Sequence, residues 1–138
     1  MRSEQTILLV EDDHVDFLTI QRALRQLESS NPLHHVTDGE KALEYLRDAS
    51  QARPGLILLD LNMPRMNGRE FLTHVKNDPV LKMIPVVVLT TSSEDQDRII
   101  TFQKIVAGYM IKSVEYPKFL ETMRTIRDYW IASELPPN

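Results

Sequence analysis

Residues 56–60 read Leu-Ile-Leu-Leu-Asp, an uninterrupted aliphatic run that ends in a carboxylate. A run without alternating polar residues is typical of a parallel strand that is buried on both faces. Three similar runs each end beside a polar or charged group: Ile7–Val10 before Glu11-Asp12-Asp13, Val86–Leu89 before Thr90, and Tyr109–Ile111 before Lys112. Because ligands bind open α/β sheets outside the carboxyl ends of the strands, we expect these dispersed groups to meet at one edge.

Amphipathic segments separate the aliphatic runs, and the alternation predicts an α/β fold with a doubly wound, five-stranded parallel sheet and five helices. Asp38 is the predicted N-cap of the second helix. The predicted strands lie at about 6–10, 33–36, 56–59, 86–89 and 108–111, and the predicted helices at about 15–28, 38–48, 67–77, 93–104 and 116–132.

Composition narrows the class of protein. The chain has 138 residues, 42% of them hydrophobic, which predicts one domain over 1–138 with a core at about 6–128 and a C-terminal extension at 129–138. The net charge of −4 argues against a nucleic-acid partner, and the lack of cysteine excludes thiol chemistry. No apolar run approaches the roughly 18 residues that span a bilayer, and the start is polar, so we expect a cytoplasmic protein with no membrane contact.

The acidic groups predict a metal site. Glu11, Asp12 and Asp13 are consecutive and repel one another, and Asp60 would add to the repulsion at the same edge. A bound cation removes the conflict, and oxygen ligands without histidine or cysteine favour Mg²⁺. A solvated acidic turn is the simpler alternative, and Asp13 alone fits it as a helix cap.

Asp60 predicts phosphoryl chemistry, since a carboxylate can attack phosphorus and form an acyl phosphate. Lys112 can supply an ammonium to the phosphoryl oxygens, and Thr90 a hydroxyl. Taken singly, these residues are better explained as a turn residue, a surface lysine and a strand-end threonine. Their coincidence at the strand ends favours the site.

Four motifs resemble the receiver domain of bacterial two-component response regulators over about 6–128. The resemblance implies a flavodoxin-like fold with strand order 2-1-3-4-5. It also implies Asp60 as the phosphoacceptor, Lys112 and Thr90 as phosphoryl contacts, and Thr90 with Tyr109 as the switch pair. The motifs are LLVEDD at 8–13, LLDLNMP at 58–64, VLTT at 88–91 and GYMIK at 108–112.

The same resemblance implies the metal ligands. Asp12 would bind Mg²⁺ directly and Glu11 through water, while Asp60 and the backbone carbonyl of Asn62 complete the protein ligands. Asp13 then remains a helix cap.

One position departs from the family pattern. Receivers usually carry proline after the lysine, with a cis bond before it, whereas Ser113 follows Lys112 here. A non-proline cis bond costs roughly 2.5–4 kcal/mol, so we expect a trans bond and a shifted loop.

Phosphorylation is expected to draw Thr90 inward, admit Tyr109 behind it and move the face built from the last strand and its flanking helices. The helix at 93–104 has more apolar residues than one inward stripe needs, and the chain end reads as an exposed docking arm. We therefore predict a homodimer or partner surface. Its residues are Ile99, Phe102, Tyr129, Trp130 and Leu135.

The predicted function is a stand-alone receiver that accepts phosphate from a sensor histidine kinase and turns over no outside metabolite. Its C-terminal extension at 129–138 is similar to that of single-domain regulators that partner bacterial phytochrome kinases. An aspartyl-nucleophile phosphohydrolase is the rival enzyme, but Asn62 stands where such enzymes place a second carboxylate. A phosphorylation-independent interaction module is the third alternative.

Overall fold

The computed structural model describes residues 5–60, 68–90, 108–111 and 115–132, with the backbone alone at Thr90, 108–111 and 131–132. The predicted helix at 93–104 lies outside these residues. So do Asn62, Ile99, Phe102, Lys112, Ser113 and Leu135. The described elements are β1 (Ile7–Val10), α1 (His14–Gln26), β2 (Leu33–Val36), α2 (Gly39–Arg47), β3 (Leu56–Asp60), α3 (Gly68–Lys76), a 3-10 turn (Leu81–Met83), β4 (Val86–Thr90), β5 (Gly108–Ile111) and α4 (Tyr116–Ala132).

The five strands form one sheet in the order β2-β1-β3-β4-β5, and every neighbouring pair is parallel. This is the predicted doubly wound order. The chain reverses its direction of travel across the sheet after β2, so β1 and β3 lie side by side at the centre. The carboxyl ends of β1 and β3 therefore meet at the point where such sheets bind ligands.

Strand residues alternate between two apolar layers, because successive side chains of a strand point to opposite faces. One layer, with Leu8 and Leu59 among its members, packs against α2 and α3. The other, with Leu9 and Leu58, packs against α1 and α4. All five residues of β3 are buried, as its aliphatic run predicted. This two-sided burial fixes the position of β3, and with it the position of Asp60.

Carboxylates cap two of the helices, as the sequence predicted. Asp13 has an extended backbone, and its Oδ1 accepts a hydrogen bond from the amide of Asp16 at 3.0 Å. Asp38 does the same for the amide of Lys41 at 2.9 Å. Each cap satisfies an amide that has no partner within the helix, and its charge suits the positive end of the helix dipole.

Trp130 corrects the predicted docking arm. Its side chain is 4% exposed and belongs to the apolar layer beneath α1 and α4. It lines a crevice together with Ile7 and Leu56, the first residues of β1 and β3. Because α4 has 17 residues, about 25 Å of helix, it reaches the amino ends of the strands. Trp130 covers that edge, whereas its neighbour Tyr129 is 67% exposed as expected.

Among the described residues, none of the helices combines the length and the apolar character that a membrane crossing requires.

Candidate functional site

The register of β1 and β3 brings the predicted acids together. Val10 pairs with Leu59, so the next residues, Glu11 and Asp60, emerge side by side at the carboxyl edge. One carboxylate oxygen from each of Glu11, Asp12 and Asp60 lies within 4.8 Å of the other two. Residues that are 49 positions apart in sequence therefore share one pocket, which we call the acidic pocket.

The acidic pocket concentrates negative charge where water is scarce. Glu11 is fully buried and Asp60 is 5% exposed, whereas Asp12 faces solvent. At 4.8 Å, two unit charges repel by roughly 3–4 kcal/mol if the effective dielectric constant is about 20. A divalent cation between the carboxylates turns this repulsion into attraction. The oxygen-only donor set, with two buried members and one open to solvent, fits a hard cation that keeps part of its water shell.

Backbone bonds hold the loop that carries two of these acids. The amide of Glu11 donates to the carbonyl of Val36 at 3.0 Å, and the carbonyl of Glu11 lies 2.6 Å from Nε2 of His35. On the other side of the loop, Asp13 caps α1, and its carbonyl accepts from the amide of Phe17 at 3.0 Å. The segment from Glu11 to Asp13 is thus tied to β2 at one end and to α1 at the other.

The remaining predicted site residues are described in part or not at all. Asp60 pairs with Leu89, so Thr90, the last residue of β4, follows at the same edge of the sheet. The backbone of Tyr109 lies beside Val88 of β4. The side chains of Thr90 and Tyr109 belong to the part of the chain that the structure does not describe. Asn62 and Lys112 lie wholly outside it.

Sequence reasoning missed His35. The four histidines have no metal-binding spacing, and such a sequence pattern predicts surface or loop positions for them. In the fold, however, His35 is a partly buried residue of β2 and touches the main chain of the acidic pocket. The sequence signal for His35 was its position as a polar residue beside Val36 in a short, weakly apolar strand. That signal becomes specific only once β2 is known to lie against β1.

Comparison with known families identifies the family of the chain. The sequence pattern of the response regulator receiver domain matches residues 7–124. The chain belongs to the response regulator receiver family. The match includes both strands that carry the acidic pocket, as well as β4, β5 and about half of α4.

Relatives of this receiver match it along nearly its whole length. Response regulator Rcp1 of Synechocystis sp. is 36% identical over 137 residues, covering 96% of this chain and 93% of Rcp1. The probable methanogenesis regulatory protein FilR2 of Methanothrix harundinacea is also 36% identical, covering 95% of this chain and 86% of FilR2. The phosphorylated cyanobacterial phytochrome response regulator RcpA is 39% identical, with a TM-score of 0.87 over 97% of this chain and 99% of RcpA.

A solved structure of Rcp1 contains Mn²⁺; it superposes with a TM-score of 0.85 over 96% of this chain and 99% of Rcp1, at 37% identity. In this receiver, Glu11, Asp12 and Asp60 offer the converging oxygens that a divalent ion needs. Because two of these carboxylates are buried, a cation that neutralises their charge stabilises the folded protein. Divalent-metal binding is therefore consistent with both the family and the local chemistry.

Proposed function

We propose that this receiver accepts a phosphoryl group on Asp60 from the phosphohistidine of a sensor kinase. The observation that carries the proposal is the position of the Asp60 carboxylate. It ends the central strand β3, is 5% exposed, and lies within 4.8 Å of the ligand oxygens of Glu11 and Asp12. A carboxylate in that setting is held for a reaction at the sheet edge, not for solvation.

The transfer is a displacement at phosphorus. A carboxylate oxygen of Asp60 forms the new O–P bond while the N–P bond of the kinase phosphohistidine breaks, and the electron pair of that bond stays on the imidazole nitrogen. Lys112 is proposed to pair with the phosphoryl oxygens, and Thr90 to donate its hydroxyl to one of them. The burial of β3 holds the attacking oxygen in place, which removes part of the entropic cost of the reaction.

Mg²⁺ is the proposed ion, held by Glu11, Asp12, Asp60 and the backbone carbonyl of Asn62. When bound, it supplies positive charge to the carboxylates and to the oxygens of the transferred group. Glu11 is buried and Asp12 faces solvent, so the proposed site combines a buried ligand with a solvent-facing one and stays accessible to a donor.

A bacterial phytochrome kinase is the proposed donor. Rcp1 and RcpA match this chain over nearly its full length, and the name of RcpA describes it as a phytochrome response regulator. FilR2 has the same identity to this chain as Rcp1, and its name refers to methanogenesis. The test therefore needs a donor kinase for each of these two kinds of regulator.

Phosphotransfer tests this function directly. The purified chain, incubated with Mg²⁺ and labelled histidine kinases that include a bacterial phytochrome kinase, is expected to gain one base-labile acyl phosphate in the peptide that contains Asp60. Chelation of the metal should abolish the label. Repeated release of phosphate from small phosphate esters would favour the phosphohydrolase instead, and absence of label with every donor would favour the interaction module.

We also propose that phosphorylation, read by Thr90 and Tyr109, strengthens a homodimer. The proposed surface retains Ile99, Phe102, Tyr129 and Leu135, and Trp130 is removed from it because it is buried. The exposed ring of Tyr129 supports an apolar contact near the end of α4. Light scattering with and without a phosphoryl mimic is expected to show a larger mass with the mimic. A monomer at high concentration in both states would reject the dimer.

A further inference from the structure

Both backbone polar groups of Glu11 are bonded to β2. Its amide continues the strand ladder to the carbonyl of Val36 at 3.0 Å, and its carbonyl lies 2.6 Å from Nε2 of His35. Because a carbonyl oxygen can only accept, Nε2 must carry the hydrogen of this bond. The backbone hydrogen-bond ladder between β1 and β2 ends at this point, and the side chain of His35 makes the bond to the carbonyl of Glu11 there.

The ring of His35 is itself packed against α1. It stacks on Phe17 with ring centroids 4.2 Å apart and planes inclined by 6°. The amide of Phe17 in turn donates to the carbonyl of Asp13. One side chain of β2 therefore contacts both the end of β1 and the first turn of α1. Residues 11–13, the acidic loop, connect these two elements.

We propose that His35 is a positioning residue for the acidic pocket, and this inference rests on the proposed function. The bond from Nε2 to the carbonyl of Glu11, together with the ring stack on Phe17, holds the loop so that Glu11 and Asp12 converge on Asp60. Without that bond, repulsion among the three carboxylates moves the loop outward before an ion can bind. Loss of an outer partner of a metal ligand lowers metal affinity by about 10–100-fold.

His34 provides the contrast within the same strand. Its side chain points to the opposite face of β2, where the ring stacks on Tyr45 of α2 with centroids 4.1 Å apart. The two histidines are adjacent, and each stacks on an aromatic ring of a neighbouring helix. The contact with the carbonyl of Glu11 distinguishes His35.

The test compares His35→Gln with His35→Met. Both replacements lose the ring on Phe17 and have similar length, but only Gln offers an N–H near the position of Nε2. Mn²⁺ binding, followed by the electron paramagnetic resonance signal of the free ion, is expected to be about 10-fold weaker in His35→Met than in His35→Gln. His35→Leu, a second variant without a donor, should match His35→Met, and His34→Met should match the wild type.

Urea unfolding of the metal-free variants separates positioning from stability. A merely structural role would lower the unfolding midpoints of the Gln and Met variants together and leave their Mn²⁺ affinities equal. Equal affinities, or an equal loss in His34→Met, would overturn the inference while the wild type still binds the ion and is phosphorylated. A wild type that binds no Mn²⁺ and accepts no label would overturn the proposed function as well.

Discussion

Asp60→Asn is expected to accept no phosphoryl group from any donor that labels the wild type, a loss of at least about a thousandfold in transfer rate. The amide nitrogen and oxygen of asparagine are poor nucleophiles, and no described carboxylate other than those of Glu11 and Asp12 shares the pocket. The fold should survive, because removal of one of three clustered charges lowers their repulsion. The measurement is initial transfer rate, with urea unfolding of the metal-free protein beside it.

Asp13→Asn is the matched control for this substitution. Asp13 lies next to the acidic pocket, but its Oδ1 caps α1 by accepting from Asp16. Asparagine caps helices about as well as aspartate, so both the fold and the phosphotransfer should persist. Label retained by Asp60→Asn at the wild-type rate would show that another group is the nucleophile, with Asp12 the first to examine.

Trp130→Ala is expected to lower the free energy of unfolding by about 3–5 kcal/mol. Its indole is 4% exposed and packs at the amino ends of β1 and β3, so truncation leaves a cavity beneath the end of α4. That loss is a large part of the 5–15 kcal/mol that typically stabilises a small domain. Because Trp130 is the single tryptophan, urea unfolding is followed by circular dichroism in place of fluorescence.

Tyr129→Ala is the neighbouring control. Tyr129 is 67% exposed, so its removal should change the free energy of unfolding by no more than about 0.5 kcal/mol. The docking-arm hypothesis instead predicts that Trp130→Ala keeps the free energy of unfolding of the wild type and weakens dimerisation. If Trp130→Ala keeps its stability and loses dimerisation, the indole serves a partner and not the core.

The alternation of strands and helices and the acidic groups at one sheet edge were predictable from local signals. Leu56–Asp60 has no polar alternation, so it had to be buried on both faces, and the carboxylate at its end had to sit at the sheet edge. Asp13 and Asp38 were predicted as caps because short acidic side chains before an apolar period satisfy helix amides. Such signals are readable because one residue and its near neighbours contain them.

Trp130 and His35 could not be placed in this way. Trp130 follows the same stripe as Phe119 and Met123, but whether that stripe ends in water or on the sheet depends on how far α4 extends past β1 and β3. His35 is unremarkable in β2 until the strand lies against β1, where its Nε2 reaches the carbonyl of Glu11. Both outcomes depend on distances between elements that are remote in sequence.

The amino-acid sequence by itself determined the alternation of strands and helices, the caps, and the chemical character of the groups at the strand ends, because periodicity and side-chain type act over a few residues. Only the tertiary structure decided which oxygens lie within 4.8 Å of one another, that Trp130 is buried at the amino ends of β1 and β3, and that Nε2 of His35 reaches the carbonyl of Glu11. The reason is geometric. Parallel pairing of strands brings residues that are tens of positions apart in sequence into direct contact, and a local sequence pattern does not specify the register of that pairing.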